Sequence, residues 1–137
     1  MPPKNALAAA LLALAALAGG CGPAATATAA SVVLNESADR TRITVAPGTT
    51  VRTELHSTYW SPATSTDPAL LAPTGQPTAT TGPGCRPGGG CGTVTTAFTA
   101  RTTGTARLTA HRTSCGEARP CPSAQQDFTV EVDIAAP

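Results

Sequence analysis

From residue 31 onward, apolar and polar residues alternate with a period of two in several separate stretches. Val51, Thr53 and Leu55 fall on one face, and Arg52, Glu54 and His56 on the other. Val94, Thr96, Phe98 and Ala100 share a face, as do Ala106, Leu108 and Ala110. Phe128, Val130, Val132 and Ile134 alternate with Thr129, Glu131 and Asp133, and shorter stretches run over Val32–Asn35 and Arg42–Val45, the latter closed by Ala46-Pro47-Gly48. Such alternation marks strands with one buried face, and the turn residues between them indicate an all-β, antiparallel β-sandwich over 31–135. A register follows for the last central pair. If Ala100 faces Ala106, Phe98 faces Leu108 and Thr96 faces Ala110, then Thr102-Thr103-Gly104 closes a hairpin with glycine at the bulge position. Continued outward, that register sets Cys91 opposite Cys115.

The N-terminus has a different pattern. Ala6–Ala18 is almost pure Ala and Leu after a polar start with Lys4, and it ends in Leu17-Ala18-Gly19-Gly20-Cys21. A membrane-spanning helix needs about 20 apolar residues, so the run has signal-peptide length. It resembles a bacterial lipobox, which implies export, cleavage after residue 20, and a diacylglycerol on the thiol of Cys21. Two acyl chains anchor stably where one does not. The resulting division is a signal peptide over 1–20, a lipidated cysteine and Ala/Thr/Pro tether over 21–30, and the sandwich over 31–135. The localisation implied is the outer face of the bacterial cell membrane. The competing readings are a buried Ala/Leu helix and an ordinary secretory signal cut near Gly20 or Ala25.

Charge narrows the function classes. With Lys4, the only lysine, set aside, eight arginines balance the eight Asp and Glu, leaving no basic surplus for nucleic acid. Of the five cysteines, Cys21 goes to lipid, and Cys85, Cys91, Cys115 and Cys121 remain as two C-x5-C pairs. In an exported domain an even number points to disulfides, whereas structural zinc uses tighter spacing, so neither a metal nor a cofactor is expected. Local bridges, Cys85–Cys91 and Cys115–Cys121, suit the compact Arg86–Gly90 spacer. A nested arrangement, Cys91–Cys115 with Cys85–Cys121, suits the hairpin register. The spacer tips the reading towards the local pair.

No nucleophile motif, metal-binding helix or phosphate loop is present, so an enzyme is not expected. His56 and His111 read as solvated strand-end histidines, and Gly88-Gly89-Gly90 as loop closure more than an anion nest. The only Tyr and the only Trp are adjacent, Tyr59-Trp60, just after a strand. Neighbours on a strand point to opposite faces, so Trp60 can fill the core while Tyr59 is exposed; the binding reading makes Tyr59, with or without Trp60, an exposed anchor at the loop end.

The order of these features is similar to chagasin-type inhibitors of papain-like cysteine proteases. Tyr59-Trp60 resembles the aromatic after that family's first loop. Gly89-Gly90-Cys91-Gly92 followed by Thr93–Ala100 resembles its G-x-G-G loop and strand, and Gly104–Arg112 the strand leading into its R-P-W loop. The likeness spans about residues 43–134 and implies an immunoglobulin-like antiparallel β-sandwich, a cysteine protease as protein partner, and Tyr59, Trp60, Gly89, Gly90 and Arg112 as binding residues. The chain departs from the family at the loops themselves. His56-Ser57-Thr58 stands in place of N-P-T-T-G, Cys91 replaces a glycine, and only Arg112 remains of R-P-W. The reading is thus a membrane-anchored binding module presenting cystine-braced loops, with a structural envelope lipoprotein lacking a discrete ligand as the alternative.

Overall fold

A computed structural model describes residues 29–137. Cys21, the signal segment and most of the tether lie outside the described residues. The strands are β1 (Ser31–Leu34), β2 (Thr41–Val45), β3 (Thr50–His56), β4 (Thr64–Ser65), β5 (Leu71–Pro73), β6 (Thr78–Thr81), β7 (Gly92–Ala100), β8 (Gly104–His111), β9 (Ser114–Gly116), β10 (Arg119–Pro120) and β11 (Asp127–Ile134). One sheet has the order β1-β3-β7-β5, with β6 also on β7; the other has the order β2-β11-β8-β4. The two face each other as an immunoglobulin-like sandwich.

Alternation decides which side chains meet between the sheets. Val51 and Leu55 of β3, Val94, Phe98 and Ala100 of β7, Ala106, Leu108 and Ala110 of β8, and Phe128, Val130, Val132 and Ile134 of β11 form one buried cluster. Their polar neighbours Arg52, Arg107, Glu131 and Asp133 lie on the outer faces, where Arg42 pairs with Glu131 and with Asp133 (3.4 Å).

The hairpin register expected for β7 and β8 does not form, and with it falls the placement of Cys91 opposite Cys115. β7 and β8 belong to different sheets, so Phe98 and Leu108 meet across the core and not along a ladder. The reason lies in the hydrogen bonds at Ala100. Its N–H donates to Thr49 O (2.9 Å) and its carbonyl accepts from Gly48 N (2.7 Å), while Arg101 N donates to Leu70 O (2.8 Å). Both flanks of β7 are occupied, by β3 on one side and by β5 and β6 on the other. The chain therefore arches over to the second sheet, where β8 pairs with β11 (Leu108↔Val130). Gly104 makes the arch at φ +148°, where an added Cβ would sit 2.7 Å from Leu70 Cδ1.

Two pairings are parallel, β1 with β3 and β2 with β11, so the sheets are mixed within an otherwise antiparallel arrangement. β1, β2 and β3 cross alternately between the sheets and reverse at each crossing, which returns β3 to the direction of β1. These reversals gather Asn35–Arg40, Ser57–Pro62, the loop after β6 and the loop after β8 at one end. Ser31 and Ile134 lie at the other.

If Gly104 is what permits the arch, Gly104→Ala will lower stability by about 1–3 kcal/mol through the disfavoured φ and the Leu70 contact. Urea denaturation measures this, and a change below about 0.5 kcal/mol would contradict it.

Candidate functional site

The loop end is organised around Trp60. β3 stops at His56, and Ser57, at φ +152°, turns the chain so that Trp60 points inward. Trp60 is 5% exposed and belongs to the core, as expected for one of the two aromatics. The Arg112 guanidinium covers its outer side, with Cζ 4.4 Å from the ring centroid. Arg112 is held there by Nε donating to Gln125 O (3.0 Å) and by its backbone N–H donating to Gln126 O (2.8 Å). A cation over an indole face gains electrostatic energy while its planar fork shields the ring from water.

Tyr59 takes the opposite course. It is half-buried, its hydroxyl donates to Gly88 O, and its ring lies against Gly90, where an added Cβ would collide with it. Gly90, at φ +70°, is therefore required both by its backbone and by the close approach of the ring. Thr58 N donates to Gly90 O (2.8 Å), completing the seam between the segment after β3 and the loop before β7. Tyr59 is thus fastened to the neighbouring loop and does not project freely. Gly89, next to it, is exposed.

Both cystines are local: Cys85 pairs with Cys91 and Cys115 with Cys121. The first closes a loop pinned by Gly89 N to Arg86 O (2.9 Å) and by Gly82 N to Cys91 O (3.1 Å). The second closes the small β9–β10 ribbon, which the sequence pattern did not reveal. Cys121 is buried at 6% exposure, and its N–H and carbonyl bond Thr113 O and the Gln126 side chain.

The two cystine loops converge. Tyr59, Gly89, Gly90 and Cys91 from one side, and Arg112 and Cys115 from the other, line a groove of about 370 Å³ with His56 at its border. All the binding residues expected from sequence except Trp60 therefore line one groove, and Trp60 lies beneath Arg112. Each histidine is engaged by a carboxylate. His56 Nδ1 lies 2.9 Å from Glu36 Oε2, and the His56 backbone N–H donates to the other Glu36 oxygen. His111 Nδ1 lies 2.8 Å from Asp127 Oδ1. Both pairs are exposed and structural in character, tying strand ends to adjoining segments. Among the described residues no group of His, Cys, Asp and Glu is arranged to hold a metal ion.

No protein-family model matches this chain, and no curated protein matches it in sequence. Among solved structures it is similar to the cysteine protease inhibitor EhICP2 from Entamoeba histolytica, at 16% identity and a TM-score of 0.55, covering 77% of this chain and 96% of that one. It is also similar to amebosin, at 21% identity and a TM-score of 0.52, covering 79% of this chain and 100% of that one. At these identities the shared property is the fold, which agrees with the sandwich read from the sequence.

Arg112→Ala will uncover Trp60. As the only tryptophan, it reports directly: its emission will shift to the red, and stability will fall by about 1 kcal/mol. Unchanged emission and stability would show that the stack contributes nothing.

Proposed function

We propose that this protein is an exported, lipid-anchored inhibitor of papain-type cysteine proteases that acts through its cystine-braced loop end. The observation that carries the reading is the convergence of the Tyr59 segment and the two cystine loops on one groove at one end of the sandwich. The likeness in fold to a structure described as a cysteine protease inhibitor supports the choice of partner. The mechanism is surface complementarity without a covalent step. The loops are fixed before binding by two cystines, by the Tyr59 hydroxyl on Gly88 O, and by the Arg112 guanidinium over Trp60. Little ordering entropy is then lost on association. Arg86, Pro87 and Gly88 form an exposed loop tip beside the groove, and Glu117 and Ala118 form another.

The direction of the chain supports the anchoring part of the reading. β1 starts at the end opposite the loops, so a tether running from Cys21 to Ser31 would leave the groove facing away from the membrane. A lipid on Cys21 supplies the attachment, and the charge balance offers no competing role with nucleic acid.

Two measurements test this. The purified protein will inhibit papain reversibly at micromolar concentration or below, and Gly90→Val, which displaces Tyr59, will weaken inhibition about ten-fold or more. Absence of inhibition at tens of micromolar would remove the protease as partner. Separately, the native protein will fractionate with membranes and carry a diacylglyceryl mass on Cys21, whereas Cys21→Ala will appear in the soluble fraction. A Cys21→Ala variant that stays with the membrane would refute the anchor.

A further inference from the structure

The two cystines close loops of the same length but differ in how they are covered. Both join cysteines with a sequence separation of 6. In the second bridge Cys121 is 6% exposed, its N–H donates to Thr113 O (2.8 Å), and its carbonyl accepts from the Gln126 side chain (3.0 Å). The Gln125 amide oxygen lies 3.6 Å from the sulfur of its partner Cys115. The first bridge has no such cover. Cys91 is exposed, Cys85 is half-buried, and every residue from Arg86 to Gly89 is exposed. A Cβ added at Gly89 would meet Cys85 Sγ at 3.5 Å, so glycine leaves that side of the bridge without a side chain over it.

We propose that Cys85–Cys91 is a site of thiol–disulfide exchange with an external dithiol, and that its reduction releases Tyr59. An exposed cystine is open to thiolate attack, whereas a buried one exchanges only after local opening. One thiolate of the dithiol attacks Cys91 Sγ and forms a mixed disulfide. The Cys85–Cys91 bond breaks, and Cys85 leaves as a thiolate that takes a proton from water. The second thiol gives its proton to water, attacks the dithiol's own sulfur in the mixed disulfide, and displaces Cys91, which is protonated in turn. The cystine gains two electrons and becomes two thiols, while the dithiol loses two and becomes a cyclic disulfide. The bridge closes the very segment that holds Tyr59: Gly88 O accepts from its hydroxyl, and Gly90 O accepts from Thr58 N (2.8 Å). Once opened, Gly88-Gly89-Gly90 is a run of the residue that gains most conformational freedom on release, and the single Gly89 N to Arg86 O turn bond (2.9 Å) cannot hold it. None of this depends on a protease as partner.

The test treats the oxidised full chain with graded dithiothreitol in the absence of denaturant, blocks free thiols with iodoacetamide, and maps them by peptide mass. Amide hydrogen exchange is followed in parallel. Cys85 and Cys91 will be reduced about ten-fold faster, or more, than Cys115 and Cys121. With only the first bridge open, the Thr58 amide will exchange about ten-fold faster, while the amides of β11, between β2 and β8, keep their protection. The double variant Cys85→Ser/Cys91→Ser will show the fast Thr58 exchange from the outset, and dithiothreitol at the same dose will not change it. The proposal is overturned if Cys85–Cys91 resists reduction, or is reduced no faster than Cys115–Cys121. It is equally overturned if Thr58 exchanges alike with the first bridge open and closed, or if β11 loses protection together with Thr58.

Discussion

β7 is hydrogen-bonded along both edges, and its apolar face must still be covered. β3 runs beside it from Thr93 to Thr99, and β5 and β6 divide the other edge between them. No position in that sheet is left for β8, although β8 follows in sequence and carries the same alternation. β8 can bury Ala106, Leu108 and Ala110 only by lying across from β7, and β11 and β2 then extend the second sheet outward from it. Fully burying a side chain such as Leu108 or Phe98 is worth about 1.5–3 kcal/mol. The facing of β7 and β8 therefore sets the sandwich, and the hydrogen bonds at Ala100 enforce it.

The same crossing of strands creates the loop end. With β3 and β8 ending there and β7 and β11 beginning there, their connections share one small area, and each must be satisfied without a large core beneath. Trp60 supplies much of that local core, and Arg112 caps it. The cystines then limit how far the connections can stray. Each spans a sequence separation of 6, so its effect on the unfolded chain is modest, and its main consequence is the shape of the loop it closes.

Much of this was legible in the sequence. The four long alternating stretches are β3, β7, β8 and β11, and the residues placed on their apolar faces are the buried ones. Period-two alternation reports which face is buried, but an arch and a hairpin bury the same residues, so the pairing of β7 with β8 could not be read from it. Thr64–Thr81 gave no signal because its strands are short, interrupted by proline, and exposed in Thr78–Thr81. The Arg112–Trp60 stack joins residues 52 positions apart in two different loops, one after β3 and one after β8, and no local pattern encodes it. Tyr59 left a fainter clue in Gly90, the position where a close ring-to-backbone contact requires glycine.

That contact also changes what the loop end can present. An aromatic whose hydroxyl is held by Gly88 O and whose ring rests on Gly90 cannot swing out as a wedge without breaking the seam to the first cystine loop. The N-P-T-T-G loop of chagasin-type inhibitors has no counterpart here, so the segment after β3 does not project either. On the inhibitor reading proposed above, contact with the protease would fall to the exposed tip Arg86-Pro87-Gly88 and to the groove between the cystine loops, with Tyr59 as its wall. Such an edge is tied down by two cystines and by the Tyr59 hydroxyl on Gly88 O. Its affinity would depend on how closely a partner matches a surface that does not adapt, because adjustment of the loops is the freedom that the cystines and the Tyr59 seam remove.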